Sequence, residues 1–366
     1  VVNLGLFLSA VVLLLYINRP STDHHDNAFA WTKIRYVPQQ KTNIPARGRC
    51  PGLSSTSKPI LVVARTSNED QQWLDVLKPK YHLCVYTADH QDPKSNELQT
   101  PANRGNEAMA YLTFIIDNYH DLPLTGMVFI HGSRFAWHND HPDYDNSKLL
   151  MDLDMKSALK EHGYHNLKCD WGASTCSPAE ALPQGSYETR SRAMIEPFND
   201  RVVSDAALPA AFAAIFGGSR GGKLASQTQP GRHDAVRSQC CAQFVVARAN
   251  VLQHTLEEYT ALRQWLLEGS KLKGQKPPPG AAPANDKVAG RIMSYLWHIL
   301  FLKHSPNEQL LVLSALNEAA CPSASDCYCR LYGRCNLTCR KPGHCAGQYK
   351  LPPNFELRQK ANSKAP

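Results

Sequence analysis

Ile60-Leu-Val-Val-Ala64, running into Arg65-Thr-Ser-Asn68-Glu69-Asp70, is the stretch from which the fold can be read. Its apolar residues are consecutive rather than alternating, and turn residues bound them. That pattern marks a short strand covered on both faces, as in a parallel sheet. His82-Leu-Cys-Val-Tyr86 repeats it, with a helix expected over Gln71–Leu77 between the two. Strand, helix, strand over this length is a βαβ unit, whose crossover is right-handed. Working outward, Ala108, Leu112, Ile115, Ile116 and Tyr119 recur at helical spacing within 106–119, and Asp121-Leu-Pro123 closes that helix. Met127-Val-Phe-Ile-His131 is a further buried strand, and 146–162 a helix closed by Gly163. From Cys169 to Arg237 the pattern weakens to loops and short elements. A strand at 243–247 and helices at 250–268 and 286–302 follow, the last two separated by an insertion holding Pro277-Pro-Pro-Gly280. The expected class is α/β: a mixed, mostly parallel sheet flanked by helices.

A chain of 366 residues, 43% hydrophobic and 20% charged, has ample material for a buried core. The formal charge of +8 is scattered, with part of it in the C-terminal tail. No run of Lys and Arg interleaved with aromatics follows a nucleic-acid backbone, so nucleic acid is not an expected partner. Of 12 cysteines, six lie at Cys321, Cys327, Cys329, Cys335, Cys339 and Cys345. Their spacing does not suit zinc, which wants C-x2–4-C pairs, and a disulfide framework is the better reading. Fifteen pairings of the six are open. Asn336-Leu-Thr338 is a glycosylation sequon within the same stretch, and it implies the same oxidising compartment. Residues 1–17 are apolar enough to suggest a transmembrane anchor of a type II membrane protein, with a cleaved signal peptide as the alternative. The expected organisation is then an anchor (1–17), a flexible stalk (18–58), a lumenal domain (59–320), a cysteine-rich module (321–349) and a basic disordered tail (350–366). That places the protein in the secretory pathway: the Golgi or endoplasmic reticulum lumen, or the cell surface.

Ligands of open α/β sheets bind beyond the carboxyl ends of the strands. Three turns deliver polar residues there. One carries Arg65, Asn68 and Glu69; a second carries Asn103, Arg104, Gly105 and Glu107; a third runs from His131 through Arg134, Trp137, His138, Asp140 and His141. Any one of them is ordinary helix punctuation, but three on one edge exceed what punctuation needs.

The order apolar strand, Asn-Glu-Asp, strand, Asn-x-Gly-x-Glu-Ala, long helix, strand resembles the nucleotide-sugar half of GT-A glycosyltransferases. In its details the chain resembles an uncharacterised family of fungal proteins over 60–349. The motifs are Asn103-Arg-Gly-Asn-Glu-Ala108 with Tyr111-Leu112, Trp137-His-Asn139, Gly163-Tyr-x-Asn-Leu167, Ala242-Gln-Phe244, Tyr295-Leu-Trp-His298 and Cys327-Tyr-Cys329. The GT-A resemblance implies a lumenal transferase moving a sugar from a nucleotide-sugar donor to a hydroxyl of a glycan or protein acceptor. Arg65, Asn68, Glu69, Asn103, Arg104, Gly105 and Glu107 would bind the donor. His131, His138 and Asp140 would be catalytic, and Trp137, Trp297 and His298 would meet the acceptor. It also implies a divalent cation, Mn²⁺ or Mg²⁺, held by a D-x-D after the strand that here ends in His131-Gly-Ser133.

That D-x-D is missing. The literal Asp152-Leu-Asp154 falls in an expected helix, where residues two apart point about 200° apart and cannot share an ion. If a metal binds, His131, His138, Asp140 and His141 are the candidate ligands, a set suited to a transition metal. Otherwise Arg65, Arg104 or Arg134 must neutralise the diphosphate. Gly217-Gly-Ser-Arg-Gly-Gly222-Lys223 has P-loop spacing but Leu224 where Ser or Thr must meet Mg²⁺. A metal-dependent hydrolase and a non-catalytic glycan- or partner-binding domain are the alternatives.

Overall fold

The computed structural model of the protein describes residues 2–17, 27–39, 44–92, 94–179, 181–218, 227–270, 277–305 and 307–346. Helix α1 (Val2–Ile17) comes first. Strand β1 (Ala28–Phe29) pairs antiparallel with β8 (Leu311–Val312). The central sheet is built from β2 (Ile60–Arg65), β3 (His82–Thr87), β4 (Leu98–Gln99), β5 (Met127–His131), β6 (Tyr164–Asn166) and β7 (Phe244–Val246). Their order is β4-β3-β2-β5-β7-β6. β2, β3, β4 and β5 are parallel, while β7 runs antiparallel to both β5 and β6. This is a mixed α/β fold with a mostly parallel sheet between helices.

Alternation along the strands explains the two cores. Ile60, Val62, Met127, Phe129, Phe244 and Val246 face one side, under α2 (Ala108–Asp117), α6 (Asp200–Gly217), α8 (Leu256–Glu268) and α9 (Asp286–Phe301). Leu61, Val63, Val128, Ile130 and Val245 face the other. There they meet a 3₁₀ turn at Gln72–Leu77, α3 (Asn146–Asp152), α4 (Met155–Leu159) and α11 (Ala324–Tyr332). Strands buried on both faces carry no polar alternation, which is why the apolar runs were readable. The shorter helices α5 (Tyr187–Ile195), α7 (Arg248–Val251) and α10 (Leu313–Ala320) fill the periphery, and a hairpin of β9 (Thr338–Lys341) and β10 (His344–Ala346) closes the described chain.

Four expectations change. Among the described residues no helix is long and apolar enough to cross a membrane. The 16 described residues of α1 span about 24 Å, against a hydrocarbon core of about 30 Å. The segment expected to be a stalk is, where described, part of the domain. Trp31 is fully buried, stacked on Phe29 at 4.3 Å and edge-on to Phe212 at 4.9 Å. Tyr36 donates its hydroxyl to Glu268, and Cys50 is bonded to Cys84 of β3. Three aromatics in a polar, Pro-rich segment were the signal, because a stalk has nothing to bury them against.

The helix expected over 146–162 breaks into α3 and α4. Asp145 caps the first, accepting from Ser147 N–H, and Asp154 caps the second, accepting from Ser157 N–H. Asp154 of the rejected D-x-D is thus a cap. Nor is the cysteine-rich module autonomous. Cys329–Cys335 and Cys339–Cys345 pair locally, whereas Cys321 reaches Cys176 and Cys327 reaches Cys169. Adjacent Cys240 and Cys241 make the remaining pair. This many disulfides belong to an oxidising secretory or extracellular environment. Asn336 is exposed, as a glycosylation site must be. Residues 219–223 of the P-loop-like segment and the basic tail (350–366) lie outside the described residues, while Gly217 ends α6.

Candidate functional site at the carboxyl edge of the sheet

The chain runs from β2 outward to β3 and β4, then returns to the other side of β2 to form β5. The crevice between β2 and β5 is therefore the topological switch point, where ligands of such sheets bind. Two of the three polar turns meet there. Ser133 donates its hydroxyl to Glu69 Oε1, while Thr66 N–H donates to Glu69 Oε2 at 2.8 Å. Glycine is needed at 132: a Cβ there would stand 2.6 Å from Arg65 Cβ and 2.9 Å from Glu69 Oε2. The neighbouring turn is tied in by Asp89, whose carboxylate accepts from Ser67 N–H at 2.7 Å and Ser67 O–H at 2.9 Å. Asn68 is exposed, its Oδ1 accepting from Thr66 O–H at 2.6 Å.

Beside this floor stand two histidines. Asn139 is buried, and its Nδ2 donates to the carbonyls of Arg134 (2.9 Å) and Tyr144 (3.0 Å). Its Oδ1 must then face His131 Nε2, 3.1 Å away, and also takes a bond from Gln243 Nε2 at 3.2 Å. His131 Nδ1 meanwhile accepts from Ser133 N–H at 3.2 Å. Together these fix the tautomer, with the proton on His131 Nε2. His138 Nε2 lies 2.8 Å from that nitrogen and offers it a lone pair. Burial pushes His131 down to about 4, and burial together with the charge of Lys168 and its histidine neighbour pushes His138 down to about 3. Both rings are neutral at physiological pH. Trp137, 60% exposed, packs edge-on against His138 at 5.1 Å.

A family model for a protein of unknown function, DUF3431, matches residues 61–330. The chain belongs to that family. No curated protein and no solved structure matches it. The DUF3431 region takes in the whole carboxyl edge and the two disulfides that bind α11 to the sheet domain; the final hairpin lies outside it.

Several expected site residues are placed elsewhere. Asp140 is buried and turned from the histidines: its carboxylate accepts from Cys169 N–H (2.6 Å), Asp170 N–H (3.2 Å) and Tyr328 O–H (2.9 Å). His141 Nδ1 accepts from Asp143 N–H. Among the described residues the one grouping of three potential metal ligands is Cys50, His82 and Cys84, and its two thiols are joined as a disulfide. His131, His138, Asp140 and His141 therefore do not form a metal centre, and with His131 Nε2 protonated that atom has no lone pair for an ion. The residues present do not fit the Mn²⁺ or Mg²⁺ that the GT-A resemblance implied.

Arg104 is a clamp. Its guanidinium is buried and donates to the carbonyls of Leu266, Pro283 and Ala284 and to Asp286 Oδ1 at 2.8 Å. Arg134 is committed to Asp145 through two bonds, of 3.1 and 2.9 Å. Arg65 donates to the carbonyls of Thr66 and Ser67 and makes no ion pair among the described residues. Gly105 has φ +69°, which makes glycine the natural residue there, and its N–H donates to Asp286. Asn103 is exposed next to it. Glu107, at the start of α2, is pushed up to about 7 by burial, with Asp286 adding to the effect.

Trp297 and His298 are 1% and 2% exposed and cannot meet an acceptor. From Tyr295 to Phe301 every residue of α9 is buried, so residues off its apolar stripe are core as well. Trp297 packs on Tyr111, Phe244 and Phe301. Ser133 and Asn139 fall within the third polar turn but were given no role, and Gln243 and Lys168 were missed, although Ala242-Gln-Phe244 names the one and Gly163-Tyr-x-Asn-Leu167 adjoins the other. Each of these two is a lone polar residue flanking a strand of three residues. Away from this edge, a cavity of about 400 Å³ lies beside β6, lined by His162, His165, Glu318, Asp326 and Arg330 among others.

Proposed function

We propose that the carboxyl edge is a nucleotide-sugar site, and that the protein is a GT-A-like transferase of the secretory lumen that moves the sugar to a hydroxyl acceptor. The observation that carries this reading is the meeting of the β2 and β5 turns at the switch point through Glu69, Gly132 and Ser133. The order of elements supports it, with an Asn/Glu turn after the first strand and an N-x-G turn before the long helix. Asn68 and Glu69 line the donor side, exposed Asn103 on the neighbouring turn reaches the far end of the donor, Gly105 shapes that turn, and Trp137 offers an aromatic face to a sugar. His138 is the base: on ligand binding its Nε2 lone pair turns from His131 to the acceptor hydroxyl and takes the proton. His131, whose own proton is held toward Asn139, positions that ring and is not itself the base. A neutral histidine with a depressed pKa is a weak base in the free protein. An anionic donor bound beside it raises its basicity, so the base is strengthened where the chemistry occurs. A metal-dependent hydrolase has less support, because the donor atoms it needs do not converge.

The test is thermal unfolding with UDP, GDP or CMP, each with and without Mn²⁺. A nucleotide at 100 times its Kd adds about 2.7 kcal/mol of stability, an unmistakable rise in midpoint. One nucleotide is expected to do this, and Asn103→Ala, at an exposed position, is expected to remove the shift while leaving the unliganded midpoint unchanged. If none of the three nucleotides shifts the midpoint, the transferase reading is wrong.

A further inference from the structure

Lys168 follows β6 at the same carboxyl edge and is only 8% exposed. Among the described residues it forms no ion pair, and its Nζ has no hydrogen-bond partner. Asp140 is near in the fold, and its carboxylate accepts from the two backbone N–H groups that follow Lys168 and from the hydroxyl of Tyr328. The Lys168 stem is buried, but the ammonium itself is not among the buried unpartnered atoms, so it reaches the surface at this edge with its hydrogen-bonding capacity unused within the described chain.

The placement says what would neutralise it. On β6, Tyr164 belongs to the core under α2 and α9 and Leu167 to the opposite core; on β5, Phe129 and Ile130 divide the same way. Strand alternation therefore sets His131 and Lys168 on one face of the sheet. They are two strands apart, with β7 between, hence separated by roughly 10 Å. His138 lies within reach of both: it touches His131, and its protonation is opposed by the charge of Lys168. On the far side of the crevice, Arg65 makes no ion pair among the described residues and donates to the carbonyls of Thr66 and Ser67. The edge thus has unpaired cations on both sides and neutral histidines between. Where a metal-using enzyme would carry the D-x-D, it has His131-Gly-Ser133.

We propose that Lys168 is the cation that holds the phosphate oxygens of the ligand, so that this site takes a diphosphate without a divalent metal. The inference rests on the nucleotide-sugar reading for its biological ligand but not for its chemistry, and the two fail separately. A fixed ammonium supplies the neutralisation a bridging ion would give, and it donates up to three hydrogen bonds without bringing carboxylates into the site.

The experiment is calorimetric titration of the intact protein in EDTA with inorganic pyrophosphate and, separately, with UDP and GDP. Wild type is compared with Lys168→Met and Lys168→Arg. Pyrophosphate is expected to bind without metal, at least tenfold more weakly to Lys168→Met and within a few-fold of wild type to Lys168→Arg. Lys168 donates no side-chain hydrogen bond and makes no ion pair among the described residues, so an apolar side chain of similar length should leave the unliganded melting temperature close to wild type, and loss of binding cannot then be assigned to misfolding. Should Lys168→Met melt much lower, the ammonium has a structural partner and the proposal is wrong. Binding that appears only with Mn²⁺, or that Lys168→Met leaves intact, overturns it while leaving the transferase reading standing. Pyrophosphate binding without any nucleotide binding keeps Lys168 as the phosphate-holding residue and removes the transferase reading. No binding of pyrophosphate or nucleotide overturns both.

Discussion

Between pH 7 and pH 5 the folded domain is expected to lose about 6 kcal/mol of stability and to approach unfolding. Four buried histidines drive this. Burial holds His131 and His165 at about 4 and His138 and His298 at about 3, the latter two with help for His138 from neighbouring charge. Once unfolded, each returns to a pKa of about 6.5. The unfolded chain then binds more protons than the folded one throughout the window from 6.5 down to the folded values, so stability falls as the pH falls. At pH 5 the difference is about 2 kcal/mol for each histidine, or about 8 for the four. His141 and His304 are shifted in the same direction and add to it. Glu107 acts oppositely. Its folded pKa of about 7 lies above the unfolded value, so its penalty is relieved as the pH falls, returning about 2 kcal/mol by pH 5. The net loss is comparable to the whole stability of an ordinary domain. Urea unfolding at the two pH values measures it directly. His298→Phe should remove about one quarter of the histidine contribution, because neither ring nitrogen has a hydrogen-bond partner for the substitution to strand. A stability that stays level between pH 7 and pH 5 would mean these rings are not held neutral.

How far the sequence reached depended on whether a residue's neighbours along the chain also carried the signal. β2, β3 and β5 are runs of consecutive apolar residues, and they were legible because both sheet faces are covered. From them followed the class, the parallel core and the edge where a ligand would sit. β7 was legible too, within Gln243-Phe-Val-Val-Ala247, whereas β6, also of three residues, carries polar His165 and Asn166 and too little pattern to register. Trp31 and Tyr36 lay in polar surroundings whose composition resembles a linker. The helix macroscopic pattern also misled at α9. Its stripe of Ile292, Tyr295 and Ile299 suggested that Trp297 and His298 faced out, although packing against α2 and α6 buries the opposite side as well. Within the candidate site the turn residues were found but not their roles. Nothing local distinguishes Arg104, which clamps the loop before α9, from Arg65, which stays unpaired at the crevice. That distinction is made by Asp286, 182 residues away. Pairings of cysteines are hidden for the same reason, since Cys169 and Cys327 are 158 residues apart.

Asp140→Ala is expected to cost about 3–5 kcal/mol of stability, with no role in the chemical step. Sequence reasoning placed this carboxylate beside the histidines as a catalytic group; the fold makes it a staple. It is 1% exposed and accepts from the backbone N–H of Cys169 and Asp170 and from the hydroxyl of Tyr328. Removing it leaves those donors buried without an acceptor, which costs far more than the net worth of the bonds themselves. Asp140→Asn tests the argument more finely. The amide keeps one acceptor oxygen but presents an N–H₂ donor where a second acceptor is needed, so it should lose a large part of the same stability. The position also predicts coupling. Cys169 and Cys327 form a disulfide at this same junction, with Tyr328 next to Cys327, so α11 is held to the sheet domain by a covalent and a polar staple side by side. A disulfide closing a loop of that length constrains the unfolded chain by about 4–5 kcal/mol in the chain-entropy model. Cys169→Ala with Cys327→Ala, combined with Asp140→Ala, should therefore be non-additive, since neighbouring groups that share a contact do not contribute independently. A catalytic Asp140 would behave differently, leaving the melting temperature unchanged and altering only turnover. Thermal unfolding of Asp140→Ala decides between the two, and a midpoint equal to that of the unaltered protein would return this residue to the site.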